Sequence, residues 1–297
     1  MVDVGGRRLH INVAGQGSPT VVLEAGIAAS SLSWALVAKQ AAEFTTVVTY
    51  DRAGFGWSDP APHNCTALDS ARDLQLLLDQ TEIPGPFLLV GHSFGGLIAR
   101  VFEQEYPGRV AGLVLVDPVS RGEWREPGEQ RKRMLARGVM LSRRGEVLAR
   151  LGVVRLALHL LMSGSRAVPK MLARVSAGRG AGVTERLTGE VRKMPRELWP
   201  AVAAHWSEAR CFRAMASALE NLPVSVTQID ESRSLRDLPL VVLSAASASA
   251  QAISEHEHDA RLSTRGEQRN VPGSGHWIQL DAPGAVVEAI RLCLSSV

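Results

Sequence analysis

Apolar residues along the first 118 positions follow two alternating rhythms. Thr20-Val21-Val22-Leu23-Glu24, Thr46-Val47-Val48-Thr49-Tyr50, Phe87-Leu88-Leu89-Val90 and Val110–Val116 are short, nearly continuous apolar runs. They read as strands buried on both faces. Between them apolar side chains recur at helical spacing. Trp34, Leu36, Val37 and Ala41 mark a helix from about Ser33 to Glu43. Thr66 and Asp69 form a capping box for a helix through Leu68, Ala71, Leu74, Leu77 and Leu78. A third helix runs from Gly96 until Pro107-Gly108 stops it. Arg8 to Val13 alternates as one more strand, turned at Gly15-Gln16-Gly17. Continuous strands separated by helices predict an α/β fold, a parallel sheet covered on both faces.

The rhythm then changes. From Val119 to about Arg236 only helical periodicities occur. Leu141, Val147, Leu151, Val154, Leu158, Leu161 and Met162 are spaced as one amphipathic helix, which predicts an apolar roof over a pocket. The sheet pattern resumes with Pro239–Leu243, a helix near Gln251 to Leu262 and a strand about Gln268 to Val271. The loop Pro272-Gly273-Ser274-Gly275-His276 follows, and a last helix starts near Pro283. The predicted organisation is a sheet domain in two parts, residues 1–118 and 237–297, interrupted by a helical cap at 119–236.

Composition changes this picture little. A chain of 297 residues with 45% hydrophobic and 21% charged residues is long enough for a well-buried core. Its net charge of +3 demands neither nucleic acid nor an anionic membrane as partner. Arg131, Lys132, Arg133, Arg137, Arg143 and Arg144 are interspersed with glutamates and lack interleaved aromatics, so they read as a solvated helix face. Cys65, Cys211 and Cys293 match no disulfide framework or metal spacing, and no other cluster does, so no metal or cofactor is expected. Gly178-Arg179-Gly180-Ala181-Gly182 lacks the ending of a phosphate loop. Met1–Gly6 lacks the basic start of a signal peptide, and Leu151–Met162, carrying Arg155 and His159, is too short to span a bilayer. These features predict a cytoplasmic location.

The chemistry concentrates at Gly91-His92-Ser93-Phe94-Gly95, between a predicted strand and a predicted helix. A Gly-x-Ser-x-Gly pentapeptide there is a nucleophile elbow, and its glycines let strand and helix approach. A serine hydroxyl needs a base at neutral pH, and histidine is the side chain suited to it. His276, after a strand in a glycine-rich loop, is the candidate. His92 reads as a packing residue beside the nucleophile, and His256 and His258 as surface residues of a helix. His10, His63, His159 and His205 stand in no motif. Acyl transfer also needs two donors for the developing oxyanion, and the N–H of Phe94 is one by position.

Ser93 in its elbow, Tyr50-Asp51-Arg52-Ala53-Gly54-Phe55-Gly56-Trp57-Ser58-Asp59 and Gly275-His276 together resemble the α/β-hydrolase superfamily. Within it the likeness is to cap-bearing serine esterases and haloalkane dehalogenase-like enzymes. The resemblance covers the sheet domain and hardly touches the insertion. It implies an acid after the strand at Leu240–Leu243, but Ser244–Ala250 holds no carboxylate. Some relatives carry the acid at the end of the strand after the elbow helix, which points to Asp117; Glu255, Glu257 and Asp259 are the alternatives. Where many relatives have a His-Gly pair, this chain has Glu24-Ala25-Gly26-Ile27, which implies Ile27 as the second oxyanion donor. Asp51, Arg52, Ser58 and Asp59 read as a loop held by local hydrogen bonds and an ion pair, while Trp34 and Trp57 could line the pocket or the core.

The expected function is therefore a serine hydrolase that cleaves carboxylic esters of small to medium apolar acyl groups. Lactone, amide or carbon–carbon bond hydrolysis would use the same residues. A catalytically silent ligand receptor is the reading outside enzymes. A serine at the elbow argues against dehalogenase and epoxide-hydrolase chemistry, which in the superfamily uses an aspartate there.

Overall fold

The computed structural model describes residues 1–61, 65–162 and 189–297. Nine strands are present among them: β1 Val2–Asp3, β2 Arg8–Leu9, β3 Ile11–Ala14, β4 Val21–Glu24, β5 Val47–Tyr50, β6 Phe87–His92, β7 Val110–Val116, β8 Leu240–Ala245 and β9 Gly266–Val271. β1 and β2 form an antiparallel ribbon, and the other seven form one sheet in the order β3-β5-β4-β6-β7-β8-β9. Only β3 runs antiparallel to its neighbour.

Arg8 to Val13 is not the single strand its alternation predicts. Leu9 pairs with Val2 and Ile11 with Tyr50, so the chain changes partner at His10. His10 N–H donates to Ser58 Oγ at 2.9 Å and its carbonyl accepts from Asp51 N–H at 3.0 Å. Alternation records which face a side chain occupies, not which strand its backbone meets.

The buried strands divide their side chains between two layers, as a period of two requires. Val22, Val48, Leu89, Leu113 and Val242 face α2 (Ala67–Gln80) and α3 (Phe94–Glu105). Val21, Leu23, Val90, Val116 and Leu243 share a cluster with Val37 of α1 (Ala35–Ala41) and with Val286 and Ile290 of a C-terminal helix. Each such side chain, removed from water, stabilises the fold by about 1.5–3 kcal/mol. The predicted capping box is present: Thr66 Oγ1 accepts from Asp69 N–H, and Asp69 accepts from Thr66 N–H.

Between β7 and β8 the described residues hold no strand, and their helices include α4 Arg121–Arg125, α5 Glu129–Arg150, α6 Val153–Met162, α7 Trp199–Trp206, α8 Ala209–Glu220 and α9 Leu222–Val226, with a short 3-10 turn at Arg196–Leu198. After β8 come α10 Ala250–Arg261, α11 Ile278–Asp281 and α12 Pro283–Leu294. The long amphipathic helix expected through Leu141 to Met162 is divided at Leu151-Gly152, where Gly152 takes a φ of +74°. Val147 is 58% and Leu151 71% exposed, so the apolar roof expected from them is not formed by these two side chains. The side chains of Leu161 and Met162, the whole of His63 and Gly178–Gly182 lie outside the described residues. α5 packs instead on α8, with Phe212 filling the space that Gly145 leaves. Among its basic residues Arg131 pairs with Glu123 at 2.5 Å and Arg143 with Glu220 at 2.5 Å.

Candidate active site

Ser93 sits between β6 and α3 with φ +54° and ψ −116°, a conformation costly for a residue with a Cβ. Its backbone is held on three sides: N–H to Val116 O at 3.0 Å, and carbonyl from Gly96 N–H at 3.0 Å and Val119 N–H at 3.3 Å. The flanking glycines are steric requirements. A Cβ on Gly91 would overlap the Gly95 carbonyl, and one on Gly95 would overlap the Glu24 carbonyl.

The elbow leaves Ser93 Oγ 3.0 Å from His276 Nε2, and His276 Nδ1 lies 2.6 Å from Asp117 Oδ2. These three residues come from the ends of β6, β7 and the loop after β9, where a parallel sheet gathers its site residues. Asp117 Oδ2 faces the imidazole and Oδ1 accepts from Ala245 N–H at 3.0 Å. The Ser244–Ala250 loop, which lacks an acid, thus supplies a donor to one. Burial would raise the Asp117 carboxyl, but the hydrogen bond and charge of His276 and the Ala245 amide outweigh it and hold it below the usual carboxylate value. With an ionised Asp117 accepting at Oδ2, Nδ1 carries the imidazole proton and Nε2 is left to accept from the serine hydroxyl.

The other carboxylates are engaged elsewhere. Asp259 is buried and bidentate to Arg121 at 2.7 and 2.9 Å. Glu255 accepts from Ser120 Oγ at 2.8 Å, and Glu257 is exposed near Arg261. α10 therefore braces the chain that follows Asp117.

His256 corrects the surface reading: it is buried, with Nε2–H donating to Pro118 O at 3.0 Å and Nδ1 accepting from Ser244 Oγ at 2.7 Å. A spacing of two on a helix places His256 and His258 on different faces, and only the face of His258 is exposed.

The turn after β4 is the second wall. Arg52 is buried, and its guanidinium donates to Glu24 Oε1 at 2.5 Å, to the Ala25 carbonyl at 2.5 Å and to the Gly26 carbonyl at 2.6 Å. Tyr50 Oη completes Glu24. Asp51 accepts from Ser31 N–H at 2.7 Å and Trp57 N–H at 3.1 Å. The polar loop thus does more than hold itself, since Arg52 and Asp51 fix the turn carrying Ile27. The signal available in the sequence was Glu24, a carboxylate ending an apolar strand, which implies a buried cation. The amides of Ile27 and Phe94 have no hydrogen-bond partner among the described residues. Trp34 is core, and Trp57 is partly exposed between His10 and His205.

A cavity of about 200 Å³ adjoins Phe94, Phe55 and Arg52, but neither Ser93 nor His276 borders it.

His92 is buried and neutral. Burial first, and the neighbouring His276 second, push its pKa down to about 3. The unfolded chain takes up that proton below 6.5 while the folded one does not until about 3. Its contribution to stability is therefore complete above pH 6.5 and is lost as pH falls, with a limiting slope of about 1.4 kcal/mol per pH unit. We expect thermal melts to show stability declining already between pH 6.5 and 5, before the carboxylates titrate, and His92→Gln to flatten that segment.

A hydroxyl lifted from a strand-to-helix elbow, facing an imidazole backed by a carboxylate across a parallel sheet, defines the class of α/β hydrolases. Residues 21–289 match the Alpha/beta hydrolase family, and the chain belongs to it. A thermophilic esterase from Thermogutta terrifontis superposes with a TM-score of 0.65 at 23% identity, covering 97% of this chain and 93% of that one. The structure described as Est816, an N-acyl homoserine lactone degrading enzyme, gives 0.63 at 19% identity over 98% of both chains. An uncharacterized protein of Mycobacterium tuberculosis is 26% identical over 292 residues, 97% of this chain and 78% of that protein. The first curated relatives are matched over only 18–41% of their own length. No helix among the described residues is long and apolar enough to cross a membrane.

Proposed function

We propose that this α/β hydrolase is a carboxylesterase-type serine hydrolase working through an acyl-enzyme. The observation that carries the reading is the hydrogen-bonded line from Ser93 Oγ to His276 to Asp117, at 3.0 and 2.6 Å. His276 Nε2 takes the proton of Ser93 as Oγ attacks the acyl carbon. The same nitrogen then returns it to the leaving alcohol. Asp117 keeps the imidazole in the tautomer that can accept and stabilises the imidazolium. Water repeats the cycle on the acyl-enzyme and frees Ser93. The N–H groups of Ile27 and Phe94 receive the oxyanion.

Carboxylic esters of small to medium apolar acids are the proposed substrates, with an alkoxide as leaving group. A panel of p-nitrophenyl esters of rising chain length tests this. Turnover should peak within the short to medium acyl chains. No turnover of any member, or activity confined to lactones or amides, would overturn the ester reading.

Arg52 enters this mechanism through the turn. By donating to the Ala25 and Gly26 carbonyls it holds the turn that carries the Ile27 amide. Arg52→Met is expected to lower kcat by roughly 10²-fold with little change in KM. It also leaves Glu24 buried without its counter-charge, with Tyr50 as its remaining partner, at a cost of about 3–5 kcal/mol. Adding Glu24→Gln should restore the melting temperature without restoring kcat. Recovery of both would reduce Arg52 to a partner of Glu24.

A further inference from the structure

His276 lies in a glycine-rich loop, its side chain 49% exposed, yet its ring must meet Ser93 and Asp117 at once. Something must fix the loop's backbone. Gly275 N–H donates to Asp281 Oδ2 at 2.8 Å, which holds the peptide before His276. On the other side the His276 carbonyl lies 2.8 Å from Nε2 of His92. A carbonyl can only accept, so the single proton of the neutral His92 ring resides on Nε2.

The same ring touches the other two walls of the site. A Cβ on Gly26 would come 3.0 Å from His92 Nδ1 and 3.5 Å from Ser93 Cβ, so the turn carrying Ile27 rests against the imidazole. Its ring centroid is 4.8 Å from that of His276 and 5.1 Å from that of Trp277. His92 Nδ1 is buried without a hydrogen-bond partner among the described residues.

We propose that His92 is a positioning residue of the hydrolase site: its Nε2–H pins the His276 carbonyl and, by packing on Gly26, sets the distance between nucleophile, base and oxyanion turn. Resting on the serine-hydrolase reading, this assigns a role in registration and none in proton transfer. A neutral ring suits that place, since a second cation beside the imidazolium formed at His276 would oppose each proton transfer to it.

His92→Gln and His92→Asn test the proposal. The glutamine amide reaches the Nε2 position, whereas the asparagine amide is too short to reach the His276 carbonyl. Asn should lower kcat about 10- to 100-fold with KM within about threefold, and Gln should recover most of the loss. Fluorophosphonate labelling of Ser93 should slow in parallel. A third readout needs no turnover. The far-downfield proton resonance of the His276–Asp117 hydrogen bond should stay sharp in wild type and the Gln variant and broaden in the Asn variant. Equal kcat for Gln and Asn, or a resonance equally sharp in all three proteins, would overturn the role of His92. Wild type that takes no label would sink the serine-hydrolase reading, while the resonance would still decide the position of His276.

Discussion

Ser93→Ala is expected to lower ester turnover by about 10⁵- to 10⁶-fold, the scale on which a serine nucleophile acting in a unit with its base is lost. The substitution removes Oγ and nothing else. The three backbone hydrogen bonds of Ser93 persist, and alanine has the same Cβ to hold at φ +54°. The melting temperature should therefore move by no more than a few degrees, and KM by little. What remains should be hydrolysis aided by Ile27 and Phe94 through binding and oxyanion stabilisation alone. Fluorophosphonate labelling should vanish. Turnover of the alanine variant close to wild type would mean that water, or another side chain, attacks the ester. Turnover lost together with the fold would leave the assignment to labelling of the wild-type protein at Ser93.

The sheet and the elbow were legible because both are written in local pattern. Phe87–Val90 is apolar at every position since both faces of β6 are covered, and Gly91 and Gly95 are dictated by carbonyls that leave no room for a Cβ. Asp117 was accessible from the resemblance and from its place at a strand end, although the donor that orients it, Ala245, carries no side-chain signal at all. His92, Arg52 and His256 act across 184, 26–28 and 138 residues of sequence respectively. No periodicity joins partners so far apart, and the two-residue spacing that separates His256 from His258 does not say which of the two faces is buried. The insertion was least legible. A run of apolar residues at helical spacing cannot reveal that Gly152 will break it and turn Leu151 into solvent.

Asp117→Asn carries the second large effect, a fall in kcat of about 10⁴-fold, the scale on which a triad aspartate's amide isostere acts in a serine protease. Shape is preserved, so Oδ1 still accepts from Ala245 and the His276 loop stays anchored through His92 and Asp281. The chemistry is not. An amide NH₂ facing Nδ1 can only donate, which forces the imidazole proton onto Nε2 and presents Ser93 with a donor where it needs a base. The imidazolium also loses its counter-charge. Asp259→Asn and Glu255→Gln discriminate this role from bracing. They should lower the melting temperature by loosening Arg121 and Ser120 while leaving kcat within about tenfold, since neither carboxylate touches His276. Should Asp117→Asn keep near-full turnover while one of those two abolishes it, the acid would belong to α10 and the Asp117–His276 contact would be structural. The pH dependence of stability gives an independent check. The depressed carboxyl of Asp117 stabilises the fold above the unfolded value of 3.8, and this contribution is lost as pH falls through its lower folded value. The asparagine variant should lack that component of acid unfolding whatever its activity.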